Sequence, residues 1–218
     1  MTTNVIFDFD GTIADTRDVF LDITNRLAPE FGYRPIDLEG LTQLINLNIR
    51  EILKNSEISL LKLPFLFSRV KFELNKQIRQ VNTVPGIESA LVELHQQGYR
   101  LGILTSNNQD NVVAFLENHN LYNTFDFIYS GISLFGKAKV IRKQLLKRER
   151  LHPNKIIYVG DEIRDIQAAK KTQIKMVAVT WGFNSFQALA KYEPDYLIEQ
   201  PQKLVEIINE LSTSKLNC

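Results

Sequence analysis

The chain has 218 residues, 44% of them hydrophobic and 23% charged, with a formal net charge of +1. That balance excludes a disordered chain and fits one good-sized domain, or one domain carrying a smaller insert. So little net charge leaves no electrostatic footprint for nucleic acid or an anionic membrane, and the lone Cys218 excludes an intramolecular disulfide or a cysteine metal cluster.

Met1-Thr2-Thr3-Asn4 runs straight into a strand-like segment, without the charged lead and apolar run of a secretion signal. No run of about 18 apolar residues suggests a membrane span. A reducing, cytoplasmic location is the expectation, with no nucleic-acid or membrane partner and a monomeric or homodimeric state.

The first β-rich run, Val5-Ile6-Phe7, ends in Asp8-Phe9-Asp10-Gly11-Thr12. Strand side chains alternate faces, so Asp8 and Asp10 share one side while Phe7 and Phe9 take the other. Neighbouring carboxylates repel, and burying them is costly unless a cation offsets the charge. Magnesium suits such a pair, because it prefers carboxylate oxygen and keeps waters that a phosphate can replace. Gly11 lets the chain turn where a side chain would crowd a ligand. Read alone, Asp-x-Asp fits a loop of helix-capping residues equally well.

From about Asp15 to Val84 the pattern is helical only, with Leu41 to Leu53 and Leu60 to Ile78 as its clearest stretches and Pro35, Gly40 and Pro64 as punctuation. This predicts an all-helical insert after the first strand. We therefore assign residues 1–14 and 85–218 to one core and 15–84 to a helical cap. Arg50, Lys54 and Arg69 of the insert are candidates to meet a second anionic group of a substrate, or to be solvated helix residues.

Beyond Val84-Pro85-Gly86, strand and helix patterns alternate. Strands are expected at Tyr99 to Thr105, Phe125 to Ser130, Lys155 to Gly160, Met176 to Thr180 and Tyr196 to Ile198. Helices are expected at Gly86 to Gln97, Asn108 to His119, Ala138 to Arg150, Asp165 to Lys171, Phe186 to Tyr192 and Gln202 to Leu211. Such alternation implies an α/β fold, a parallel-sheet, Rossmann-like three-layer core, with ligands in the crevice beyond the carboxyl ends of the strands.

Three further polar clusters fall at those ends. Thr105-Ser106-Asn107 precedes a helix, where hydroxyl and amide groups with free N–H groups suit phosphate, or where they simply cap the helix. Lys137 opens the basic helix and could neutralise a phosphate, with Lys139 as the rival. Asp161 follows the fourth strand in Gly160-Asp161-Glu162-Ile163-Arg164-Asp165, placed to supply a third oxygen for a metal, and Asp165 lies one helical turn on. His95, His119 and His152 lack metal-ligand spacing and are read as surface or packing residues, and Trp181 as core or the edge of the site.

Taken together these residues resemble the haloacid dehalogenase superfamily of phosphohydrolases, in its helical-cap branch that includes phosphoglycolate phosphatase-like enzymes. The resemblance rests on DFDGT at Asp8 to Thr12, TSN at Thr105 to Asn107, Lys137 and GDEIRD at Gly160 to Asp165. It implies that Asp8 is nucleophile and metal ligand, and that Asp10 is general acid and base while binding Mg2+ through its backbone carbonyl. Asp161 is implied as the further metal ligand, with Glu162 and Asp165 behind it. Gly11, Thr12, Thr105, Ser106, Asn107 and Lys137 are implied around the phosphate. A carboxylate at Asp10 favours phosphoryl chemistry over dehalogenation. Ala138 departs from the proline that often follows the lysine. The expected function is a Mg2+-dependent phosphatase for a small phosphorylated metabolite, with a sugar phosphomutase or a non-catalytic metabolite-binding protein as alternatives.

Overall fold

The computed structural model describes residues 2–37, 40, 43–48, 51, 54, 59, 61–133 and 135–213. Six strands form one sheet: β1 (Asn4–Phe7), β2 (Arg100–Leu104), β3 (Phe127–Tyr129), β4 (Ile156–Gly160), β5 (Lys175–Val179) and β6 (Tyr196–Ile198). Their order is β3-β2-β1-β4-β5-β6, and every pairing is parallel. Each expected strand is present, with ends moved by a residue or two.

Apolar residues occupy both faces of these strands because helices cover both. Val5 and Phe7 of β1, Ile103 of β2 and Val159 of β4 pack into one core. Ile6, Leu104 and Tyr158 alternate with them into the other. The first core is closed by α3 (Ile87–Gln96), α4 (Gln109–Asn118) and α8 (Leu204–Thr213). The second is closed by α5 (Lys137–Val140) with its continuation, α6 (Ile163–Thr172) and α7 (Phe186–Ala190). The expected helix over Ala138 to Arg150 starts one residue earlier and passes into a π-helix at Ile141–Arg148. Ile141 and Leu145 are the residues it buries there.

Between β1 and α3 the described residues contain no strand. Two helices, α1 (Arg17–Phe31) and α2 (Leu63–Gln77), pack Ile23, Leu27 and Phe31 against Leu66, Val70 and Leu74. Of the pattern read at Leu41 to Leu53, Leu41, Thr42, Ile49, Arg50, Ile52 and Leu53 lie outside the described residues. Glu73, buried on α2, faces Arg69 and Lys76, each at 3.1 Å, and Arg26 of α1 at 3.4 Å. The hydrogen bond from Lys76 and the neighbouring cations hold its carboxyl below the usual range. Arg69 also approaches Glu30 at 3.7 Å, so it ties the two helices together.

The two chain crossings into the insert lie side by side. Asp15 N–H donates to the Asn82 carbonyl and Val84 N–H to the Ile13 carbonyl, both at 2.9 Å, with a bridge between Ala14 and Thr83. A second attachment is made by Asn184, after β5. Its Nδ2 donates to the carbonyls of Ile45 (3.0 Å) and Leu47 (3.2 Å), while its Oδ1 accepts from Ile163 N–H at 2.9 Å. Phe20 of α1 meets Phe183 edge-on at 5.7 Å. One side chain therefore holds both the insert and the start of α6. Asn184→Ala removes these bonds, at about 1–3 kcal/mol for groups left unpaired, and amide exchange over residues 45–48 should quicken at least tenfold. Unchanged exchange there would show that Asn184 does not anchor the insert.

Candidate active site

The topology assembles the site. β1 lies between β2 and β4, so the segments leaving the carboxyl ends of these three strands share one crevice. β1 delivers Asp8 and Asp10, β2 delivers Thr105 to Asn107, and β4 delivers Asp161 to Asp165.

At the centre is a buried three-charge bridge. Lys137 Nζ donates to Asp8 Oδ2 and to Asp165 Oδ1, both at 2.5 Å, and all three residues are at most 2% exposed. Lys139 is exposed, so burial decides between the two lysines in favour of Lys137. Asp8 Oδ1 accepts from Phe9 N–H at 2.8 Å. Asp165 Oδ1 also accepts from Tyr158 Oη at 3.0 Å, and its Oδ2 accepts from Glu162 N–H at 3.1 Å. Both oxygens of Asp165 are thus engaged in holding the lysine and the loop. Burial pushes the Asp8 carboxyl up, against the opposing pull of Lys137. For Lys137 burial pulls the pKa down, but Asp165 and Asp8 overcome it and leave it raised.

Asp161 is fully buried beside this bridge. Its Oδ1 accepts from the Thr12 hydroxyl and its Oδ2 from Phe183 N–H, both at 2.7 Å. Burial, then the charges of Glu162, Asp8 and Asp165, lift its pKa well above the carboxylate range. Two glycines make room for it: a Cβ on Gly11 or on Gly182 would fall 2.4 Å or 2.2 Å from Asp161 Oδ2. Gly11 also has φ +73°, which a side chain disfavours. Gly11 N–H donates to the Ala14 carbonyl and Thr12 N–H to the Phe9 carbonyl. In this arrangement Gly11 and Thr12 shape the turn that seats Asp161.

Asp8, Glu162 and Asp165 each present an oxygen, all within 4.8 Å of one another. Asp161 is not in that set, its oxygens being turned to Thr12 and Phe183. Asp8 at the end of β1 and Asp161, Glu162 and Asp165 at the end of β4 bring four acidic side chains into the crevice, those of Asp8 and Asp161 raised by burial; they offer oxygen donors only, which suits a hard divalent cation. Asp10 stands at the crevice edge, partly buried, with its carboxyl pushed up to about 6 by burial even though Asn107 donates to it. Thr105 is buried, and its Oγ1 accepts from Asn107 N–H at 3.0 Å, while Ser106 is half-buried. The cap of α4 is Asn108, which accepts from Asn111 N–H at 2.8 Å, so the Thr105-Ser106-Asn107 cluster is not itself the helix cap.

Sequence reading passed over Tyr158, Arg164, Gly182 and Asn184. Arg164 binds Glu162 Oε2 through Nε at 2.5 Å, and its buried Nη1 has no partner among the described residues. Trp181 packs against the core and donates from Nε1 to the Thr12 carbonyl at 3.2 Å, which places it behind the first loop. His119 bonds the Val81 carbonyl and lies 3.5 Å from Glu88, and His152 accepts from Asn154 N–H, so neither meets Asp8, Asp10 or Asp161.

The chain matches the family described as haloacid dehalogenase-like hydrolase over residues 5–179. It is 37% identical over 207 residues to a phosphoglycolate phosphatase of Synechococcus elongatus, covering 95% of this chain and 97% of the relative. A pyrophosphatase, PpaX, of Bacillus velezensis is 27% identical over 208 residues, covering 94% and 95%. A solved haloacid dehalogenase-like hydrolase from Streptococcus pneumoniae superposes with a TM-score of 0.79 at 25% identity, covering 95% and 98%. The chain belongs to the haloacid dehalogenase-like hydrolases. Within that family it is a phosphatase. No helix among the described residues is long and apolar enough to cross a membrane.

Proposed function

We propose that this enzyme is a Mg2+-dependent phosphatase for a small phosphomonoester, that it acts through an aspartyl-phosphate on Asp8, and that phosphoglycolate is its substrate. The observation that carries the reading is Lys137, buried and bonded to both Asp8 and Asp165, at the carboxyl end of β1. The 37% identical relative over nearly the whole chain, a phosphoglycolate phosphatase, supports the substrate class.

An Asp8 oxygen attacks phosphorus while the bond from phosphorus to the substrate oxygen breaks, and Asp10 gives its proton to the departing oxygen. Asp10 then takes a proton from water, whose oxygen attacks the phosphorus and releases Asp8 and inorganic phosphate. Lys137 cancels charge on Asp8 and on the phosphoryl oxygens, and Asp165 with Tyr158 holds its ammonium in place. Ser106 and the Thr105-to-Asn107 segment complete the phosphate cradle, with Thr105 held inward by its bond to Asn107. Asp8, the Asp10 carbonyl and Asp161 are the proposed ligands of Mg2+, with Glu162 and Asp165 behind them. When bound, the ion supplies positive charge against which a carboxylate can approach a dianionic phosphate. Residues 15–84 act as a cap that moves over the core 1–14 and 85–218 and excludes water.

The test is product analysis with phosphoglycolate, pyrophosphate and a hexose phosphate. Inorganic phosphate should appear with phosphoglycolate as the best substrate, stop when a chelator removes the metal, and resume with Mg2+. An isomeric hexose phosphate formed without phosphate release would make the enzyme a mutase. Undiminished release in chelator would contradict the metal requirement.

A further inference from the structure

Three asparagines run in series from the insert to Asp10. Asn75, exposed on α2, donates from Nδ2 to Asn111 Oδ1 at 2.5 Å. Asn111, fully buried in the first turn of α4, donates from Nδ2 to Asn107 Oδ1 at 2.9 Å. Asn107 donates from Nδ2 to both carboxylate oxygens of Asp10, at 3.1 and 3.2 Å.

Chemistry fixes the direction of this chain from two independent ends. An ionised carboxylate only accepts, so Asn107 turns its amide nitrogen to Asp10, and in the protonated acid the oxygen without the proton still accepts it. Backbone N–H only donates, and Asn108 N–H meets Asn107 Oδ1 at 2.8 Å, which places the oxygen on the other side. Asn111 must therefore give its nitrogen to Asn107 and offer its oxygen outward, where the only group that matches is a donor such as the Asn75 amide. Two buried amides gain nothing over apolar side chains unless each is fully paired. Removing Asn75 leaves Asn111 Oδ1 unpaired and frees the series to rotate.

We propose that Asn75 and Asn111 are positioning residues for Asp10: through Asn107 they fix the plane of its carboxyl, and the series is complete only when α2 sits where it does here. This rests on the proposed role of Asp10 as proton donor. In that step the bond from Asp8 to phosphorus forms, the bond from phosphorus to the substrate oxygen breaks, and the Asp10 proton moves to that oxygen. A rotated carboxyl delivers the proton off line, which slows a poor leaving group and spares a good one. Because Asn75 belongs to the insert and Asp10 to the core, the relay makes proton delivery depend on the placement of the insert.

The test uses the full chain with Mg2+ and compares kcat/KM for phosphoglycolate with kcat/KM for 4-nitrophenyl phosphate. Both report steps up to the aspartyl-phosphate, and only the alkyl leaving group needs the proton. In Asn75→Ala the alkyl-to-aryl ratio should fall about tenfold, and Asn75→Gln, which keeps the donor, should recover most of it. Asn111→Asp, an isosteric change that opposes one oxygen to another, should lower the ratio at least as far. A merely structural role would lower both values together, so an unchanged ratio in Asn75→Ala, which is exposed and folds regardless, overturns the inference. Asp10→Asn is measured alongside. A ratio that falls there but not in Asn75→Ala overturns the relay alone, whereas a ratio unchanged in Asp10→Asn overturns the role of Asp10.

Discussion

Asp8→Asn is expected to lose turnover of every phosphomonoester by roughly 10⁴-fold or more while keeping its fold. An amide of the same shape still accepts from Phe9 N–H, and Lys137 keeps Asp165 at 2.5 Å, so no buried cation is stranded. Folding also no longer has to bury the Asp8 charge, whose carboxyl burial pushes up. The thermal midpoint should therefore move by no more than a few degrees. Phosphate release and thermal unfolding on the same preparation check both halves. A folded variant with a tenth of the parent rate would remove Asp8 from the chemistry.

Lys137→Met should fail on both counts. It leaves Asp8 and Asp165 buried at most 2% exposed with no cation between them. Breaking a buried pair by removing one partner costs about 3–5 kcal/mol, a fall of roughly 6–20 °C in a chain of this size. Activity should drop by about 10²–10³-fold, the scale for removing one group that stabilises transferred charge. Calorimetry and initial rates decide it, and a midpoint within two or so degrees of the parent would show that the bridge does not stabilise the fold. The contrast between the two variants is informative because they touch the same hydrogen bond from opposite ends.

Much of this architecture is legible in the sequence, for a physical reason. A parallel sheet covered on both faces needs continuous apolar strands, and KIIYVG or YRLGILT stand out against amphipathic helices. Strand ends in such a sheet must hold the ligand site, so the acidic and polar clusters there could be gathered before any coordinates were known. Strand ends alone do not separate Lys137 from Lys139, which begin the same helix; the resemblance favours Lys137, and burial agrees with it. The π-helix at Ile141–Arg148 was not visible either, because its apolar residues Ile141 and Leu145 keep an ordinary helical spacing. Tyr158 did carry a signal that went unread: a hydroxyl inside an apolar strand must find a polar partner, and it finds Asp165. Asn111, four residues after Asn107 in the same strand–helix junction, was another. Asn184 and Gly182 carried none, because what they touch is distant in the chain.

The covalent intermediate on Asp8 is the claim on which the rest depends. Enzyme turning over substrate labelled in its phosphoryl group, quenched in acid within milliseconds and digested, should carry the label on the peptide containing Asp8. The label should be absent from Asp8→Asn and should build more strongly in Asp10→Asn with an aryl phosphate, where attack proceeds without the acid but water is not activated. Rapid turnover with no labelled protein, or label on a peptide lacking Asp8, would contradict the account.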